Sequence, residues 1–171
     1  FGKNNTLQNV LVYISKGLEG KQFEPPAQAA VLDQRGCAYT PHVIGVVVNQ
    51  TLEIRNSDQT LHNVKLISKK NGKGNNTIPG GGIVLNKTFK KPELKARYKC
   101  DVHPWMAAYV GVLDHPFHAV TGADGSYSID GLPAGTYTIE AWHERLGAQA
   151  STVTVADGAA ASANFSFSPK K

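Results

Sequence analysis

The chain has 171 residues, of which 41% are hydrophobic and 18% charged. That suits one globular domain or two small ones and is too apolar for a disordered or fibrous chain. The longest apolar runs, such as Val43–Val48, fall far short of the ~20 residues a membrane-crossing helix needs. The net charge is +5 and unevenly spread. Between Lys65 and Lys99, Lys65, Lys69, Lys70, Lys73, Lys87, Lys90, Lys91, Lys95, Arg97 and Lys99 face a single acid, Glu93. Such a segment is either a solvated lysine rim or a face that steers acidic partners. It lacks the interleaved aromatics of a base-stacking surface, which argues against nucleic acid.

The chain begins at Phe1 rather than Met, so a processed N-terminus with its export signal removed is expected. The two cysteines, Cys37 and Cys100, admit one disulfide, two free thiols or a metal thiolate.

Helical periodicity is weak throughout, and strand signals recur. In chain order, strands are predicted at Val10–Ile14, His42–Val48, Thr51–Ile54, His62–Ile67, Ile83–Leu85, Lys95–Cys100, Tyr109–Leu113, Tyr127–Ile129, Thr136–Ala141, Ser151–Val155 and Ala163–Phe167. Asn49-Gln50 reads as a turn between two of them. Lys70–Gly82 holds five glycines and three asparagines and reads as a flexible loop. Pro25-Pro26 marks a break near the start, and Asp124-Gly125 and Leu132–Gly135 are turns. Short strands punctuated by turns predict an all-β chain of sandwich type.

The densest chemistry lies in Cys100-Asp-Val-His-Pro-Trp-Met106. A thiolate, an imidazole and the chain's one thioether fall within seven residues at a strand end. A second imidazole, His62, opens an upstream strand. Two His, one Cys and a weak axial Met are the donor set of a blue-copper centre. Thiolate and thioether favour the cuprous ion, and imidazole suits both oxidation states. A set that compromises between the two rearranges little when an electron moves. No nucleophile–base pattern, phosphate loop or carboxylate pair stands out, so the sequence supports a carrier rather than an enzyme.

This stretch resembles a cupredoxin over roughly residues 29–113, with a Cys-x-x-His-Pro-x-Met loop similar to that of amicyanin. Gly36–Pro41, Thr51–Asp58 and His62-Asn63-Val64 follow the plastocyanin and amicyanin order of strand, turn, strand and first ligand. The resemblance implies a Greek-key β-sandwich holding one copper per chain. His62, Cys100 and His103 would be equatorial ligands and Met106 axial. Asn63 would brace the ligand loops beside the sulfur, and Pro104 would flank His103. Cys37 departs from the pattern: it could be inert or redox-regulatory, an extra ligand, or the disulfide partner of Cys100. Trp105 with Pro104 suggests an apolar contact patch, and Lys90 and Lys91 complete the expected partner-contact set.

The segment Ala119–Ile139, with its Asp-Gly turn and Leu-Pro-x-Gly-x-Tyr corner, resembles the carboxypeptidase-regulatory, transthyretin-like β-sandwich family over about 50 residues. That family begins with a strand like Asn9–Ile14. The expected organisation is therefore a copper domain, 29–113, inserted into a second small sandwich made of 1–28 and 114–171. Two consecutive domains are the plainer alternative. His115, His118 and His143 could form another metal site or bond at a domain junction.

The leading expectation is an electron-transfer protein with a mononuclear type 1 copper, periplasmic or extracellular, serving a redox partner such as a c-type cytochrome. A second is a metal-free module locked by a Cys37–Cys100 disulfide within a larger surface assembly. A third is copper delivery or storage by the same ligands.

Overall fold

The computed structural model describes residues 5–168. Phe1, on which the expectation of a processed N-terminus falls, lies outside that range. Thirteen strands and no α-helix are found among the described residues, so the chain is all-β. None of the described residues forms a helix long and apolar enough to cross a membrane. The chain divides into two compact units, one spanning Phe23–Pro116 and the other built from the segments flanking it.

The central unit holds β2 (Ala30–Gln34), β3 (Tyr39–Thr40), β4 (Val43–Val47), β5 (Thr51–Asn56), β6 (His62–Ile67), β7 (Gly74–Ile78), β8 (Val84–Thr88), β9 (Glu93–Lys99) and β10 (Ala107–Leu113). They form two sheets, ordered β4-β10-β9-β6-β7 and β3-β2-β5-β8. β10 runs parallel to β4 and β2 parallel to β5, and the other pairs are antiparallel. Strict alternation in Thr51–Asn56 buries Leu52 and Ile54 on one face, as a half-buried strand requires. These residues pack with Leu32 and Tyr39 against Val64, Leu66, Ala96, Tyr98, Val110 and Val112 of the opposite sheet, with Phe89 closing the core.

The flanking unit is one antiparallel sheet ordered β11-β1-β12-β13, from β1 (Leu11–Lys16), β11 (His118–Val120), β12 (Gly135–His143) and β13 (Gly147–Val155). Strand β1 is central and buries Leu11, Val12, Tyr13 and Ile14, which explains its unbroken apolar run. The Tyr137 hydroxyl donates to Pro133 O four residues earlier, at 2.9 Å.

Several predicted elements change. Lys70–Gly82 is not all loop, since Gly74–Ile78 pairs with β6. As a polar edge strand that buries only Ile78, β7 carries no alternating signature. Strands β2 and β11 were not predicted. Tyr127–Ile129 and Ala163–Phe167, predicted as strands, form no ladder. Ser128 Oγ donates to Asp130 Oδ1 at 2.7 Å. The two segments meet instead through the Tyr127 hydroxyl, which donates to Ala163 O at 2.7 Å.

Candidate metal centre

The ends of β6 and β9 bring the site together. β9 delivers Cys100 at its close, and β10 begins just after Met106. The connection is shaped by backbone bonds from Cys100 N to Met106 O (3.3 Å) and from Met106 N to His103 O (2.9 Å). Cys100 and Met106 are buried members of the central core, so both sulfur side chains sit at the edge of the packed interior.

His62 enters from the adjacent strand and is fully buried. Its loop is organised by Asn56, itself fully buried. The Asn56 side-chain amide donates to Thr60 O (2.9 Å), Ile78 O (3.1 Å) and Pro79 O (3.1 Å), and its oxygen accepts from Asp58 N (3.0 Å). Gly80 then passes so close to this turn that a Cβ would lie 2.4 Å from the Gln59 backbone. Only glycine fits that approach.

The two imidazoles face each other through Nδ1, 2.9 Å apart. Cys100 Sγ lies 3.7 Å from His103 Nδ1 and 4.0 Å from His62 Nδ1. Donors held tetrahedrally at about 2.0–2.3 Å from one ion are roughly 3.3–3.8 Å apart. The observed triangle brackets that range, so these residues fit a metal ion after shifts of a few tenths of an ångström. Backbone N–H groups of Asn63 and His103 each donate to Cys100 Sγ at 3.4 Å, so both aim their dipoles at the sulfur.

Asp58 orients His62. Its Oδ2 accepts from His62 Nε2 at 2.8 Å, which places the proton on Nε2 and leaves the Nδ1 lone pair facing the site. The same carboxylate accepts from Gly36 N at 2.7 Å and Cys37 N at 2.9 Å. The Cys37 N–H bond, with those from His62 and Gly36, outweighs desolvation and holds Asp58 below the usual carboxylate range. Asp58 lies outside the sequence-based set; its only signal was its place four residues before His62.

Asn63 ties strand to loop: its side chain accepts from Asp101 N and donates to Asn75 Oδ1. Tyr39 lies beneath, donating to Asn63 O at 3.2 Å and Lys99 O at 3.3 Å. Burial raises its pKa, with the nearby Cys100 charge adding to the rise.

Cys37 and Cys100 are both free, which corrects the disulfide-locked expectation. Cys37 joins His62 and His103 in a group whose donor atoms all lie within 4.8 Å of one another. His115, His118 and His143 form no such group among the described residues. His143 Nδ1 instead accepts from Arg145 N and Leu146 N.

Trp105 is 69% exposed and stands 5.3 Å from the His103 ring, centroid to centroid. Pro104 beside it is exposed. Leu61, Ile83, Val84 and Val102, all exposed, adjoin the same end of the strands. Lys90 and Lys91 do not join them. They precede β9, and that seven-residue strand separates them from the ligand loop by about 23 Å at ~3.3 Å per residue.

This is an all-β protein with a buried cluster of imidazole and sulfur donors at one sheet end. Residues 104–168 match the family model of the carboxypeptidase regulatory-like domain. No curated protein matches the chain. Similar solved structures are cupredoxins and a copper enzyme. A purple cupredoxin from Nitrosopumilus maritimus shares 21% identity over 48% of this chain and 98% of its own, with a TM-score of 0.42. An oxidised amicyanin variant shares 25% over 49% of this chain and 81% of its own, with a TM-score of 0.43. A Cu-containing nitrite reductase from Thermus scotoductus shares 25% over 57% of this chain but only 24% of its own, with a TM-score of 0.43.

Proposed function

We propose that the protein is a one-electron carrier, not an enzyme, built around one copper ion held by His62, Cys100, His103 and Met106. The observation that carries this reading is the triangle of His62 Nδ1, His103 Nδ1 and Cys100 Sγ, with sides of 2.9, 3.7 and 4.0 Å. Bound there, copper supplies a one-electron couple with a soft and a borderline ligand set.

The chain's own residues do the rest. Asp58 fixes the His62 tautomer. The Asn63 and His103 N–H groups stabilise charge on Cys100 Sγ. Asn56 and Gly80 set the turn that aims His62. The half-buried His103 ring, edged by Trp105, is the side on which a redox partner protein would dock, and the exposed apolar residues at that end suit a transient contact. The copper domain, 29–113, is taken as an insert in a sandwich formed by 1–28 and 114–171. A periplasmic or extracellular site of action, with a partner such as a c-type cytochrome, completes the proposal.

The test is spectroscopic. Copper-loaded, oxidised protein should be intensely blue or green, and Cys100→Ser should bleach it. Reduced protein that takes up no copper overturns the reading. Repeated redox cycling without loss of metal separates a carrier from a delivery or storage protein.

A further inference from the structure

The turn between β2 and β3 carries a cysteine where the backbone calls for glycine. Cys37 has φ +53°, a left-handed conformation that side chains with a Cβ adopt reluctantly. The turn itself is tight, with Arg35 N bonded to Ala38 O at 2.9 Å and Ala38 N to Arg35 O at 3.3 Å. Two further clamps come from the metal centre. Asp58, which orients His62, holds the Cys37 N–H, and the Trp105 indole donates to Cys37 O at 2.9 Å. The residues flanking both histidines thus grip one strained residue, and its Sγ lies within 4.8 Å of a ring nitrogen of each.

We infer that Cys37 supplies a second thiolate to the centre, completing a two-sulfur, two-nitrogen set with Cys100, His62 and His103. The inference rests on the copper reading above and deepens it. Donors sharing one ion stand roughly 3.3–3.8 Å apart, so Cys37 Sγ has up to about 1 Å to close on each imidazole, and further toward Cys100, which stands outside that 4.8 Å group. Rotation about its own χ1 moves Sγ while the clamped backbone stays in place. On binding, the thiol gives its proton to solvent. Two thiolates and two imidazoles form a softer set than a single-thiolate centre and favour the cuprous state.

The experiment is X-ray absorption on the full chain, reduced and loaded with one equivalent of Cu(I), beside Cys37→Ser, Cys37→Ala and Met106→Leu. Wild type should show two short thiolate sulfurs, Met106→Leu should keep both, and each Cys37 variant should show one. Cu(I) affinity, measured by competition with a chromophoric chelator, should fall at least about tenfold in the Cys37 variants, the scale on which even indirect ligand partners act. A wild-type spectrum with one short sulfur, superimposable on those of the Cys37 variants and with equal affinity, overturns the second thiolate and leaves the copper reading standing. Wild type that binds no Cu(I) overturns both.

Discussion

Single residues carry this site unequally. Cys100 and the two histidines provide donor atoms, but Asn56 and Asp58 decide where His62 points. Asn56 is fully buried and satisfies three carbonyls and one amide. Its replacement by alanine strands those groups away from water. An orphaned buried group costs about 1–3 kcal/mol, so Asn56→Ala should lose at least that much in urea denaturation. Copper retention against a chelator should weaken in parallel, because the same turn presents His62. Asn56→Ala protein with unchanged stability would show that this hydrogen-bond hub is dispensable.

At the scale of elements, the end of the sheet remote from the metal is knitted by Glu93. Its carboxylate accepts from Ser68 Oγ (2.6 Å), Lys69 N (2.6 Å), Lys70 N (3.2 Å) and Asn71 Nδ2 (3.1 Å), joining the β6–β7 turn to the start of β9. Desolvation pushes its pKa up, but the bonds from Ser68, Lys69, Asn71 and Lys70 outweigh that and hold it below the usual value. A carboxylate with a depressed folded pKa stabilises the fold above its unfolded pKa of about 4.3. That contribution is lost as pH falls from there through the folded value. Glu93→Gln should therefore be less stable than wild type at pH 7, and the gap should shrink steadily below about pH 4. Chemical denaturation at pH 7, 4 and 3 checks this. A gap that stays constant across the series would show that the charge plays no part.

The same element shows why β7 escapes sequence reading. An edge strand needs partners for its backbone but not a buried face, so Gly74–Ile78 leaves only one apolar residue as a trace. The opposite error, at Tyr127–Ile129 and Ala163–Phe167, has the complementary cause. Alternating residues there suit a strand, yet the backbone finds no ladder partner and single side-chain bonds, such as Tyr127 to Ala163 O, hold the segments instead.

Across the whole molecule, the Lys90–Lys91 pair and the exposed apolar residues separate within the central unit. Trp105, Leu61, Val102, Ile83 and Val84 are exposed near the ligand loop. Lys90 and Lys91 sit a strand length away, about 23 Å, where the first lysine donates to Asn49 Oδ1 and both backbone amides bond Asn71 Oδ1. The Debye length at physiological salt is only about 8 Å. Lysines at that distance therefore do little to steer a small anion to the site. Replacing both Lys90 and Lys91 by glutamate should change the rate of electron exchange with a small anionic iron complex by less than about twofold at 0.15 M salt. Stopped-flow measurement decides it. A large drop that vanishes with added salt would show that the lysine end and the metal end act as one docking face.

The sequence by itself determined the all-β class, the turn-rich layout and the donor types, because strand alternation and the Cys-x-x-His-Pro-x-Met spacing are local properties of the chain. Only the tertiary structure decided the rest. It left Cys37 a free thiol beside both imidazoles, recruited Asp58 to hold a ligand and a turn at once, and set Trp105 and the Lys90–Lys91 pair at opposite ends of a strand. Those relations depend on which strand lies beside which. Register and sheet order arise from long-range packing, for which a local stretch of residues carries no record.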